Sequence, residues 1–169
     1  MPRIKHVVSL FVFAVALLGV GCGKKVTQTK PKTNPPSKQA TPNDDPAAIR
    51  ALEEAGFILK KNSDGLVVEL SISAKDDISE SFQHLSGIPN VATAKFTGPG
   101  MADKGLEAIE SLTNLRRLDF SESRITDKTL DSVAKIKNLE VLGLIRVAVS
   151  DEALGKLASL KKLRAIDLR

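Results

Sequence analysis

The chemistry open to this chain of 169 residues is limited first by the side chains it has to perform it. It contains one cysteine, two histidines, and no Trp or Tyr. A single thiol, Cys22, cannot close an internal disulfide or build a thiolate-rich zinc or iron–sulfur site. His6 and His84 leave almost no imidazole for metal ligation or a nucleophilic triad. Among the carboxylates, Asp119 and Asp167 stand two 24-residue periods apart. On neighbouring parallel strands that spacing gives roughly 10 Å, from about 4.8 Å per strand, near the separation of an inverting carboxylate pair. Nothing around them in the sequence builds a pocket or raises a pKa, so they read as two solvated carboxylates. Gly98-Pro99-Gly100 reads as a turn, since no phosphate-cradling loop leads from it into a helix. His84 falls on an outer helix after Phe82 and reads as a surface histidine. Neither a cofactor, a metal nor a catalytic group is expected.

Covalent chemistry at Cys22 is the exception. Arg3 and Lys5 form a positive start, Val7 to Val20 is a mostly apolar run of about fourteen residues, and Gly19-Val20-Gly21-Cys22 closes it. The run falls short of the ~20 residues of a membrane-spanning helix and fits the core of an export signal. Small residues before a lone Cys resemble the lipobox of bacterial lipoproteins, with Gly19 standing where that family prefers Leu. The resemblance implies cleavage before Cys22, acylation of its thiol, and a cell-envelope, membrane-anchored location. An ordinary cleaved signal with a secreted soluble product and an uncleaved anchor are the alternatives. Residues 1–21 are thus expected to be a signal peptide. Residues 22–45 follow as a tether of Lys, Thr, Pro, Gln, Asn and Ser that has too few aliphatic residues to bury a core.

Charge divides along the same line. The chain has 25 basic and 20 acidic residues, a net +5. Residues 1–45 hold seven basic residues and two acidic ones, which is the whole excess. The remainder therefore has 25 − 7 = 18 basic against 20 − 2 = 18 acidic residues and is neutral. With no Trp or Tyr to stack bases, a neutral body gives no reason to expect a nucleic-acid partner.

The body repeats every 24 residues from Gly65 onward. Leu115, Leu118, Phe120, Ile125, Leu130, Val133 and Ile136 recur as Leu139, Leu142, Leu144, Val149, Leu154, Leu157 and Leu160. The same template runs back through Val91, Ala94, Phe96 and Leu106 to Val67, Leu70 and Ile72, and forward to Leu163, Ile166 and Leu168. Each copy opens with a short alternation that suits a strand and continues with an apolar stripe spaced by three that suits a helix. Thr126-Asp127 and Ser150-Asp151 stand where helix starts need an oxygen cap and a carboxylate. One strand and one helix cannot bury a core alone, but stacked copies can.

These residues resemble the leucine-rich-repeat family, in the ribonuclease-inhibitor-like subtype reading L-x-x-L-x-L-x-x-x-x-[IV]-[TS]-D-x-x-L-x-x-L, as found in bacterial leucine-rich-repeat lipoproteins. The resemblance covers residues 65–169 and implies an α/β solenoid of about five 24-residue β-strand/α-helix repeats. Residues 46–64 look like a small N-terminal cap, with a helix from Ala47 to Ala55 ended by Gly56 and a strand at Phe57-Ile58-Leu59. The family's strand-exit asparagine is replaced by Lys75, Pro99, Ser123 and Val147, so no asparagine ladder is expected.

Stacking would set three columns on the concave face: Glu69, Thr93, Arg117, Val141, Ala165; then Ser71, Lys95, Asp119, Gly143, Asp167; then Ser73, Thr97, Ser121, Ile145, Arg169. Arg117, Asp119, Ser121, Val141, Gly143 and Ile145 are the candidate partner-binding residues. Val141 and Ile145 are apolar where solvent is expected, and Gly143 between them leaves a dip. The favoured function is a non-catalytic module binding a protein or envelope polymer. The alternative is a structural component that self-associates or docks through the edge of its last strand.

Overall fold

The computed structural model describes residues 42–169. Helix α1 (Pro46–Glu54) leads into strand β1 (Ile58–Lys61), and strands β2 (Val67–Ser73), β3 (Thr93–Thr97), β4 (Arg117–Asp119), β5 (Val141–Gly143) and β6 (Ala165–Asp167) follow. The six form one sheet in sequence order, with β1 antiparallel to β2 and all later pairs parallel. The architecture is therefore mixed α/β on a largely parallel sheet. Between the strands, the chain crosses over an opposite layer of short helices.

The register follows the sequence period. Glu69 lies beside Thr93, Thr93 beside Arg117, Arg117 beside Val141, and Val141 beside Ala165. Leu70, Ala94, Leu118, Leu142 and Ile166 form the parallel column on the other face. The first four are buried, at 0–2 % exposure, whereas Ile166 on the edge strand is 38 % exposed. A one-residue slip would turn every member of this column to the wrong face, so the aliphatic spacing pins the register.

Aromatic rings fill the N-terminal third of the core. Phe57, Phe82 and Phe96 meet edge to face with centroids 6.0–6.5 Å apart, and Phe120 stacks on Phe96 at 5.6 Å. Such pairs add to simple burial. Phe57 thereby plugs the segment before β1 into the core. Asp45 accepts from the Ala47 N–H at the start of α1, Pro46 supplies a preset φ, and Gly56 at φ +90° ends the turn.

The crossover helices differ from the expected uniform α-helices. Helices α2 (Asp127–Val133) and α3 (Asp151–Lys156) are α-helical, but Ser79–Gly87 and Leu106–Ser111 are 3₁₀ segments. Thr126 and Ser150 accept from the Lys128 and Ala153 N–H groups; at the first 3₁₀ segment Asp77 accepts from the Ser79 N–H at 2.8 Å, while Gly105 before the second offers no capping oxygen. His84 lies in the first 3₁₀ segment and is half-buried.

Two ladders of side-chain bonds run across the copies. At the helix starts, Asp103 accepts from the N–H and hydroxyl of Thr126 and from the Thr129 hydroxyl. One copy on, Asp127 accepts from the N–H and hydroxyl of Ser150 at 2.8 and 2.6 Å. The Ser/Thr-Asp pair is thus shared between copies: the hydroxyl caps its own helix while the Asp holds the next copy's hydroxyl.

The second ladder corrects the expectation that none of asparagine exists. Strand exits have no asparagine, but the turns before the strands do. Asn90 donates to the Pro42 carbonyl at 2.6 Å, Asn114 to that of Pro89 at 3.1 Å, and Asn138 to that of Thr113 at 2.7 Å. Asn90 also donates to Asp44, whose other oxygen accepts from the Val67 N–H. Lys162 stands at the next position and donates to Asn138 Oδ1.

Left-handed backbone recurs on the same period. Gly98, Glu122 and Arg146 have φ of +97°, +61° and +58° just after their strands. At Gly98 a Cβ would lie 2.3 Å from the Ala74 carbonyl oxygen, so only glycine fits there. At the other two positions, the Arg146 guanidinium bonds Glu122 at 2.8 Å.

These ladders set two expected outcomes. Asn114→Ala should cost about 1 kcal/mol, the usual net worth of one such bond, and Asn90→Ala more, because its site is buried and shared by two acceptors. Urea midpoints of the two variants measure the order. Partial burial pushes the Asp103 carboxyl up, but the bonds from Thr129 and Thr126 outweigh it and hold it below its ordinary value. Asp127 is held low by the Ser150 hydroxyl and N–H. Groups with a depressed folded pKa stabilise above their unfolded pKa, and that stability is lost as pH falls through the folded value. Unfolding midpoints should therefore fall below about pH 4. Asp103→Asn should be less stable at neutral pH and show a flatter acid limb.

Candidate functional site

The concave face is built from the side chains that alternate with the buried column. Arg117 at the start of β4 and Val141 at the start of β5 sit side by side, as do Asp119 and Gly143 one pleat on. Ser121 and Ile145 follow in the strand exits, where Glu122 N–H donates to the Ile145 carbonyl. All six candidate residues line one groove of about 390 Å³, together with residues of β2, β3 and β6.

Asp119 organises the middle of the groove. Its Oδ1 accepts from the N–H of Ser121 at 2.9 Å and from the Ser121 hydroxyl, while Oδ2 faces Lys95 Nζ at 3.4 Å. A Cβ on Gly143 would lie 2.7 Å from Asp119 Oδ1. The glycine is therefore not a free dip for a partner. The Asp119 carboxylate already leans over it, and the missing side chain is what lets it do so.

The charged groups of this face are mostly paired within the chain. Glu69 bonds Lys60 at 2.7 Å, Lys95 faces Asp119, and Asp167 is held bidentate by Arg169 at 3.0 and 2.8 Å. The Arg169 guanidinium keeps the Asp167 carboxyl below its ordinary value. Asp119 and Asp167 flank Gly143 across β4–β6, each engaged by its own cation. Among the described residues of this face, Arg117 is the cation without a carboxylate partner. It is exposed, and its neighbour Val141 is half-buried, as is Ile145.

The sequence found these six positions through the period but missed how they interact. No rule of spacing shows that Asp119 folds back onto Ser121, or that Arg117 alone is left unpaired. Cys22 lies outside the described residues. Among those residues, no group of three or more His, Cys, Asp or Glu is placed to hold a metal ion. No helix among them is long and apolar enough to cross a membrane.

The fold and face together define a mixed α/β scaffold with one open sheet surface. No known family's sequence profile matches the chain, and no curated protein matches it. Among solved structures it is similar to an internalin from Listeria monocytogenes, at 15% identity and a TM-score of 0.23. The match covers 73% of this chain and spans 55% of the internalin.

The Gly143 contact sets a coupled outcome. Gly143→Ala should cost about 1–3 kcal/mol by displacing the Asp119 carboxylate from its partners. In an Asp119→Ala background the same substitution should cost clearly less. A double-mutant cycle on thermal unfolding measures the coupling, and equal costs in both backgrounds would show that the two residues do not oppose each other.

Proposed function

We propose that the chain is a non-catalytic protein-binding module of the leucine-rich-repeat type, exported and lipid-anchored through Cys22. It presents its concave sheet to a protein or another envelope partner. The observation that carries the reading is the pairing on β4 and β5 of Arg117, which has no carboxylate partner among the described residues, with the half-buried Val141. Ile145 extends the apolar strip along the same groove. A solvated arginine beside aliphatic surface suits a partner segment that brings a carboxylate next to an apolar side chain.

The 24-residue register and the shared Ser/Thr-Asp ladder support the repeat reading. The ladder does so independently of the apolar template. Export and anchoring rest on the N-terminal apolar run and on Cys22, the chain's one thiol.

Two experiments test this. Val141→Asp with Ile145→Asp, or Arg117→Glu alone, should abolish capture of a partner cross-linked to the intact protein in cells, without lowering the unfolding free energy by more than about 1 kcal/mol. Unchanged capture would remove the groove from the binding surface. For the anchor, Cys22→Ser should abolish incorporation of a radiolabelled fatty acid, and equal label on both proteins would reject lipidation.

A further inference from the structure

The neutral body is not evenly charged. The turns that precede β4, β5 and β6 (residues 111–116, 135–140 and 159–164) carry Arg116, Lys135, Lys137, Lys161, Lys162 and Arg164 against the single carboxylate of Glu140, a net +5. All six cations are exposed. The turns lie side by side, because Asn138 donates to the Thr113 carbonyl, Lys162 donates to Asn138, and Glu140 bridges Arg116 and Arg164. The turns after the strands (residues 74–80, 98–107, 121–128 and 145–152) hold five basic residues against nine acidic ones, a net −4. A body balanced in total is thus polarised from one sheet edge to the other.

The folded body also begins on its basic edge. Asn90, in the turn before β3, holds the Pro42 carbonyl in the way Asn114 holds that of Pro89. Asp44 and Asp45 fix the same stretch through the Val67 N–H and the Gly87 carbonyl. Everything N-terminal to Pro42 therefore joins the body there. The twenty positions from Cys22 to Thr41 carry Lys24, Lys25, Lys30, Lys32 and Lys38 and no acidic residue. At about 3 Å per residue they reach at most roughly 60 Å, and less as a coil.

We propose that this basic edge, formed by the turns before β4, β5 and β6, docks on an anionic phospholipid surface. The inference rests on the anchored reading above only for bringing that surface within reach. The net positive charge of these three turns, of which Lys135 is paired with Glu110, lies on the edge where the tether enters beside Asp44 and Asp45 and attracts anionic headgroups within a Debye length of about 8 Å at physiological salt. The acidic edge is turned away, and the concave sheet stands beside the bilayer, open to a partner from the side.

The full chain is mixed with vesicles of phosphatidylcholine alone or with 30% phosphatidylglycerol, floated, and labelled with an amine-reactive ester read by mass spectrometry. Lys137, Lys161 and Lys162 should be protected several-fold on the anionic vesicles relative to the neutral ones, and the protection should vanish at about 0.5 M salt. Lys75, Lys104 and Lys128, on the acidic edge, should label equally on both. Equal labelling of all six lysines overturns the docking, while flotation on neutral vesicles would still stand for the anchor. Flotation on anionic vesicles alone, with protection, supports the edge and counts against the anchor; flotation on neither overturns both. The variant K137Q/K161Q should lose most of the salt-sensitive protection at Lys162, and full retention would overturn the assignment. Protection by soluble dextran sulfate but not by anionic vesicles would replace the lipid with a polymeric anion.

Discussion

Every part of this fold depends on parallel pairing between strands only three to seven residues long. A three-residue strand makes too few hydrogen bonds to hold itself, and each crossover helix is too short to be stable alone in water. Each copy is therefore ordered by its neighbours, and stability behaves as a chain of nearest-neighbour interfaces. The side-chain bonds obey this rule. The bonds of Asp103, Asp127, Asn114, Asn138, Glu110 and Asp131 each reach a residue 22–26 positions away. The core does the same through the Leu70–Ala94–Leu118–Leu142 column. Damage to one copy must then weaken the interfaces on both sides of it, while copies farther away feel only what those interfaces pass on.

A period is easy to read in sequence because it repeats; what breaks it is not. Register, strand positions and the membership of the concave columns follow from aliphatic residues every 24 positions. The 3₁₀ character of the first two crossovers does not, because the apolar spacing by three that marks these segments fits an α-helix and a 3₁₀ turn alike. The asparagine ladder lies in the turns before the strands and not at the strand exits. The signal was nonetheless available, since Asn90, Asn114 and Asn138 recur on the same 24-residue spacing. Left-handed Glu122 and Arg146 escaped notice for a different reason. Neither residue type advertises φ > 0, and only alignment with Gly98, one copy before Glu122 and two before Arg146, marks the position.

The candidate site shows where such reading runs out. Spacing places Asp119 beside Gly143, but only the coordinates show that the carboxylate needs that glycine. They also show it to be spent on Ser121 and Lys95. Sorting the face by which charges are already satisfied changes its emphasis. Asp119 becomes part of the scaffold, and Arg117 with Val141 becomes what the face has left to offer. A surface argument that counts charges without pairing them would have weighed the two residues equally.

The same distinction applies to the whole molecule. A net charge of zero over residues 46–169 argues against a basic body, yet neutrality is a sum and says nothing of arrangement. Because the strands pair in a 24-residue register, position within that period decides which edge a residue occupies. A bias of Lys and Arg toward the pre-strand turn, and of Asp and Glu toward the post-strand turn, is therefore amplified into two oppositely charged edges. Part of the acidic bias has a structural origin, since Asp103 and Asp127 hold the hydroxyls of the next copy. Part of the basic bias has one too, since Lys135 pairs with Glu110, Arg116 and Arg164 share Glu140, and Lys162 donates to Asn138; Lys137 and Lys161 are exposed and make no bond to another side chain. Charge that the scaffold does not require is free to serve a partner, and it is on the basic edge that such charge has collected.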